Sequence, residues 1–401
     1  MEVSMGTLVE QYDTEPVAKD CISNFEDCCD ESYLHVYEIG RKLWQSNDLD
    51  SQHYLKGCLW SPDGNYLLVP VHLDGIHIFE LPEDLRENDV AVIDKTMSNR
   101  NLTLLESSFQ VAEGGTVYDF TWYPYQQSND YTSCCWLSTR QNEPIHMWNI
   151  GNGSLRCSYR AYDMVDEPDC AISVHFSNDG ENIYGGYKKS IKIFDTSRPG
   201  RDYSIFPVKQ PVSCFATNPR NHNTVTVGSW HKHVYHYDLR QPKIGPLFVL
   251  NGHNGGITWL RYDTEGYMLF SGARKDDNIL QYDLRNYTEP LHTYERKVAT
   301  NQRISFDLNE KETWLVGGDS DGMVHVWDYK SGEKKSSFEI HTDCCNGLSL
   351  HPNGSLFAST SGKFHMFEES TEIFSGGREI VYENGLVMGW IQKRMFEEYG
   401  T

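Results

Sequence analysis

Short alternations of apolar and polar residues recur along most of this 401-residue chain, as in GITWLRY, YMLFSGA and NILQYDL. Side chains of a strand point to opposite faces in turn, so each alternation predicts a half-buried β-strand. Seven of these stretches close on an aromatic followed by a short polar or acidic residue: Phe79-Glu80, Trp148-Asn149, Phe194-Asp195, Tyr237-Asp238, Tyr282-Asp283, Trp327-Asp328 and Phe367-Glu368. The aromatics lie 69, 46, 43, 45, 45 and 40 residues apart. All but the first interval match the roughly 40 to 45 residues of a four-stranded propeller blade. The long first interval marks an insertion, residues 82–115, between blades 1 and 2. Turn triplets recur between the apolar runs upstream: Pro62-Asp63-Gly64, Asn178-Asp179-Gly180, Thr264-Glu265-Gly266 and Pro352-Asn353-Gly354. Each suits the tight hairpin joining the first two strands of a blade.

A blade cannot bury both faces alone, so seven of them must stack around an axis and close into a ring. The expected fold is therefore all-β, a single seven-bladed propeller of the WD-repeat class over residues 33–391. A short acidic, disordered segment (1–32) precedes it and a tail (392–401) follows. Either LHVYEI near residue 36 or the segment REIVYENGLVMGW is expected to supply the outer strand of the last blade. Blades 5 and 6 hold the fuller repeat pattern, with Gly252-His253 ahead of blade 5 and Asp276 and Asp321 six residues before Tyr282 and Trp327. His253, Ser271, Asp276, Asp321 and Trp327 are read as members of buried hydrogen-bonded relays, with Tyr282 altering the last link in blade 5. A His, Ser and Asp together also suit a hydrolase, but their spacing is that of blades and there is no nucleophile elbow. No catalytic residue and no enzyme activity are expected.

Composition narrows the partners. A formal charge of -22 argues against nucleic acid unless a basic surface is local. The absence of a long apolar run and of a secretory leader predicts a cytosolic or nuclear protein without a membrane partner. The 11 cysteines lack the spacing of a zinc site and read as reduced thiols. GGDSDG, from Gly317 to Gly322, lacks the ligand spacing of a calcium loop and reads as a hairpin turn. His231, His233 and His236 offer too few ligands for a metal, so no metal or other cofactor is expected.

In a propeller, the second hairpin turn of each blade and the connections between blades share one face. That places Lys188 and Lys189 of blade 3, Trp230, His231, Lys232 and His233 of blade 4, and Arg274 and Lys275 of blade 5 on a common rim. Arg296, Lys297 and Arg303, in the connection to blade 6, extend it. Cations interleaved with rings suit single-stranded RNA, where the charges hold phosphates and the rings stack on bases.

Several strings go beyond the generic repeat: SRPGRD (Ser197 to Asp202), SGARKD (Ser271 to Asp276), ATNQRISFDL (Ala299 to Leu308), NGLSLHP (Asn346 to Pro352), PIHMW (Pro144 to Trp148) and GGTVYDFTWY (Gly114 to Tyr123). With these the chain resembles the telomerase Cajal body protein family of WD-repeat factors. The resemblance implies a nuclear, Cajal-body protein, also present in the cytoplasm, that binds the Cajal-body box of H/ACA-class small RNAs and, in many organisms, telomerase RNA. It further implies the dyskerin-containing particle, coilin and the cytosolic chaperonin as partners. No DNA partner is expected, and the protein is expected to be a monomer. An alternative is a substrate receptor of a cullin ubiquitin ligase or another protein adaptor, since the two YDLR strings end at Arg240 and Arg285. The simpler reading of those arginines is that each pairs with a neighbouring Asp.

Overall fold

The computed structural model describes residues 34–44, 52–86, 100–113, 115–365 and 383–393. The expected acidic segment, the tail beyond residue 393, and Phe367-Glu368 lie outside them. Seven sheets stand around one axis, each with four antiparallel strands from inside to outside; blade 7 carries a fifth, and Ala161–Tyr162 pairs with Pro168–Asp169 in a separate two-stranded sheet. Blade 5 shows the plan: Ile257–Tyr262, Met268–Ala273, Asn278–Asp283 and His292–Glu295. The turn triplets join first to second strands as expected. Gly180 and Gly266 there take φ of +71° and +69°, a conformation that a Cβ disfavours. No helix of the described residues is long and apolar enough to cross a membrane.

The core lies between neighbouring blades. In blades 1 to 6, the closing aromatic sits opposite a buried residue of the second strand: Phe79 opposite Leu67, Trp148 opposite Trp136, Phe194 opposite Ile183, Tyr237 opposite Val225, Tyr282 opposite Leu269 and Trp327 opposite Leu315. Blade 7 departs from this pattern. Its third strand is Gly385–Lys393, and the register position of the aromatic holds Gly389, opposite Phe357. A Cβ on Gly389 would stand 2.4 Å from the Phe357 ring. The ring thus comes from the second strand, and only glycine leaves room for it.

Closure uses both candidate segments. Leu34–Leu43 is the outer neighbour of Gly385–Lys393, in register from Leu34 opposite Lys393 to Leu43 opposite Gly385. The stretch 82–115, expected as an insertion between blades 1 and 2, itself contains the outer strand of blade 1, Phe109–Val111. On the way, Thr103–Leu104 adds a short parallel strand against Gly40 and Arg41 of blade 7.

Buried relays tie the turns to the strands. In blade 5, His253 bonds Asp276 through Nδ1 (3.0 Å) and Ser271 through Nε2 (2.8 Å). Tyr282 leaves that chain and donates to the carbonyl of Asn251. In blade 6 the relay carboxylate is Asp319, not Asp321. Asp319 accepts from the backbone of Asp321 and Met323 and meets His325 Nε2 at 3.0 Å. Asp321 points outward and holds Lys297. Trp327 has no serine to meet, because the place of Ser271 is taken by Gly317, whose added Cβ would lie 3.4 Å from the indole. A relay ending in tryptophan occurs in blade 2, where Trp148 Nε1 donates to Ser138 and Ser138 donates to Glu113.

Blade 7 uses a glutamate, with His341 bridging Glu383 (3.1 Å) and Ser359 (2.9 Å). Burial pushes the Glu383 carboxyl up, but His341, the Thr342 N–H and Arg41 outweigh it and hold the group at about 2. A free glutamate titrates near 4.3. Its folded value is therefore depressed, so its contribution is full above about pH 4.3 and is lost as the pH falls towards 2. Glu383→Gln is expected to flatten the acid limb of a stability curve in that window. An unchanged limb in chemical denaturation from pH 5 to 2 would contradict this.

Candidate nucleic-acid interface

Backbone hydrogen bonds stitch the second turns of the blades to the connections between them. Val208 N–H donates to the Lys189 carbonyl, Arg274 N–H to Gly256, Lys275 N–H to Thr300 and Ser320 N–H to Lys297. These segments therefore share one face, around the mouth of the central channel.

On that face, Lys188, Lys189, His231, Lys232 and Lys275 are exposed, while His233 and Arg274 are half-buried. Trp230 keeps 41% of its surface in solvent. Gly255-Gly256 lets the chain pass between Trp230 and Arg274. A Cβ on Gly256 would lie 2.9 Å from the Trp230 backbone and 3.1 Å from Arg274 Nε. Trp230 and the Arg274 guanidinium are thus immediate neighbours. Among the described residues, no carboxylate lies within salt-bridge distance of Lys188, Lys189, Lys232, Arg274 or Lys275. His231, His233 and His236 do not gather: His236 is buried, bonded to Thr226, and among the described residues no His, Cys, Asp or Glu group is arranged to hold a metal.

Three expected rim cations are already engaged by groups of the protein. Arg296 is buried (4% exposed) and donates to the carbonyls of Ile304, Ser305 and Gly318. Burial lowers its pKa to about 10. It braces the backbone and is not available to a phosphate. Lys297 is exposed but engaged by both oxygens of Asp321. Arg303 turns into the channel, where Nη1 meets Asp119 Oδ1 at 2.7 Å and the guanidinium lies 5.2 Å from the Trp259 ring centre.

The mouth itself is a cavity of 730 Å³. Trp230, Lys188, Tyr118, Arg303 and Lys56 are among its walls. Lys56 donates to the Val117 carbonyl, and burial, with the nearby Arg303, lowers its amine to about 8. Arg240 and Arg285 each make two or more bonds to one aspartate two residues back, Asp238 and Asp283. That is the simpler of the two sequence readings in geometric form.

Three repeats, residues 244–283, 289–328 and 332–364, match the family "WD domain, G-beta repeat". The chain is 50% identical over 378 residues to "Telomerase Cajal body protein 1 homolog" of Drosophila melanogaster, covering 88% of this chain and 68% of that protein. It is 34% identical to "Telomerase Cajal body protein 1" of Homo sapiens, over 94% of this chain and 69% of that protein. The chain belongs to the telomerase Cajal body protein family. A more distant likeness, 25% over 78% of this chain and 82% of that protein, links it to "Guanine nucleotide-binding protein negative regulator 1" of Schizosaccharomyces pombe.

In this family member, sequence reasoning overlooked Lys209, exposed in the connection whose Val208 bonds Lys189, and with no described carboxylate at salt-bridge distance. The rule that placed Arg303 on this face places Lys209 there too. Lys56 and Tyr118 carried no such signal, since nothing in their own strings says that they line the channel.

Proposed function

We propose that this chain is an RNA-binding scaffold, without catalytic chemistry of its own, that uses the face just described. It recognises the Cajal-body box in the terminal loop of H/ACA-class small Cajal-body RNAs, and telomerase RNA where present, and retains these particles in nuclear Cajal bodies. The dyskerin-containing particle and coilin are its partners there, and the cytosolic chaperonin folds the ring. The observation that carries the reading is a run of cations with no described carboxylate at salt-bridge distance, Lys188, Lys189, Lys209, Lys232, Arg274 and Lys275, beside an exposed tryptophan on a protein of charge -22. Such a sector can hold phosphates, and the indole offers a stacking surface.

The test is titration of purified variants against a box-bearing hairpin at several salt concentrations. Trp230→Ala is expected to cost about 1 to 3 kcal/mol of affinity. Each lysine that holds a phosphate should, when replaced by alanine, flatten the slope of log K against log salt by about 0.7. Wild-type affinity and slope in the combined Lys232→Ala, Arg274→Ala variant would place the RNA elsewhere.

A further inference from the structure

The rim explains affinity, but lysines on phosphates carry no base information. The channel mouth differs in chemistry. Its 730 Å³ falls within the roughly 300 to 1,000 Å³ of ligand pockets. Ile172, Ile257 and Pro168 add apolar surface to walls that also carry Lys56, Asp163, Asp169 and Arg303, and Tyr118, 36% exposed, gives it a ring. Three exposed amides line the same cavity: Gln141 and Asn142 in the second turn of blade 2, and Asn301 in the connection to blade 6. No described group bonds any of these three side chains. An amide offers both a donor pair and an acceptor, and so can match the edge of an unstacked base. Arg303, in the same lining, is held by Asp119.

We infer that one nucleotide of the bound loop leaves the rim and enters this mouth, where Tyr118 takes its base face and Gln141 and Asn301 read its edge. The inference rests on the RNA reading above and divides the labour within it. The rim of blades 3 to 5 holds backbone, and the mouth sets base preference. Asn142 has φ of +62°, which alanine tolerates poorly, so it is left unchanged in the test.

The probe is a pool of RNA hairpins with a fixed stem and a fully randomised loop, selected on the purified protein and sequenced. Wild-type protein is expected to enrich a short loop sequence. The combined Tyr118→Ala, Gln141→Ala, Asn301→Ala variant is expected to bind the pool with the same salt slope while its enrichment falls about tenfold, as for one lost two-point base contact. Lys189→Ala with Lys232→Ala should weaken all loops alike. Should the triple variant fail to fold, Gln141→Ala and Asn301→Ala, both at exposed positions, are read singly. Unchanged enrichment in the mouth variants, or selective loss in the rim variant, overturns the inference while leaving RNA binding intact. A wild-type protein that captures no hairpin overturns the RNA reading itself, and this inference with it.

Discussion

Removing residues 34–44 is expected to abolish cooperative folding, the largest effect of any short deletion in this chain. Leu34–Leu43 is the outer strand of blade 7, although the rest of that blade comes from the far end of the sequence. It is the strand that fastens the two ends of the ring. Ile39, 1% exposed, packs in one cluster with Leu105, Leu386 and Trp390, joining the insertion of blade 1 to blade 7. Arg41 bonds Glu383, the carboxylate of the blade 7 relay. Ile39→Ala alone should cost about 2 to 5 kcal/mol, a large share of the roughly 5 to 15 kcal/mol by which domains are stable. The full deletion adds an open ladder along Gly385–Lys393, and an unpaired edge invites association. The measurement is thermal unfolding by near-ultraviolet circular dichroism, with sedimentation to detect association. An unchanged melt would mean that the strand does not close the ring. An equal loss on deleting residues 1–30 would mean that closure is not the reason.

The ring was readable in the sequence because blades repeat, and repetition averages out local ambiguity. Where a blade departs from its siblings, the pattern misleads. Phe367 stands at the right interval, but the third strand of blade 7 is Gly385–Lys393, and the ring at that register comes from Phe357 on the second strand. The spacing of the aromatics carries no sign of that departure.

The rim was legible for a different reason. Lys188, Lys189, Lys232 and Lys275 lie at turns, where the backbone reverses and long side chains have solvent to enter; Lys232 and Lys275 have φ of +74° and +49°. Residues in the connections have no such constraint. Arg296 and Lys297 are adjacent, yet one is buried against three carbonyls and the other lies on the surface. Asp319 and Asp321 share one turn, and which of them faces inward is decided by His325 on the next strand. Glu113, the relay carboxylate of blade 2, lies in the insertion, where no repeat register reaches it. Such choices are made by tertiary partners, and a single string does not contain them.

The second large effect is expected from Asp119→Ala. Asp119 belongs to the inner strand of blade 2 (Val117–Trp122) and Arg303 to the connection before blade 6, so their bond joins parts of the ring 184 residues apart. Burial lowers the Arg303 pKa, but the charge and hydrogen bond of Asp119 outweigh it and leave the guanidinium above its ordinary value. Asp119 Oδ2 also accepts the N–H of Val174 in blade 3. Removing one partner of a buried pair costs about 3 to 5 kcal/mol, because the other charge is left uncompensated. Arg303 keeps 19% of its side chain exposed at the cavity, which puts the expectation at the lower end, about 3 kcal/mol. The double variant Asp119→Leu, Arg303→Met removes both charges and should be markedly less destabilised than the sum of the single changes. Additive losses in urea denaturation would show that the two groups do not act as a pair. The same variants separate brace from ligand contact. Arg303→Met should leave the salt slope of RNA binding unchanged, whereas Lys232→Ala should flatten it, because Asp119 already holds the arginine's charge and no described carboxylate holds the lysine's.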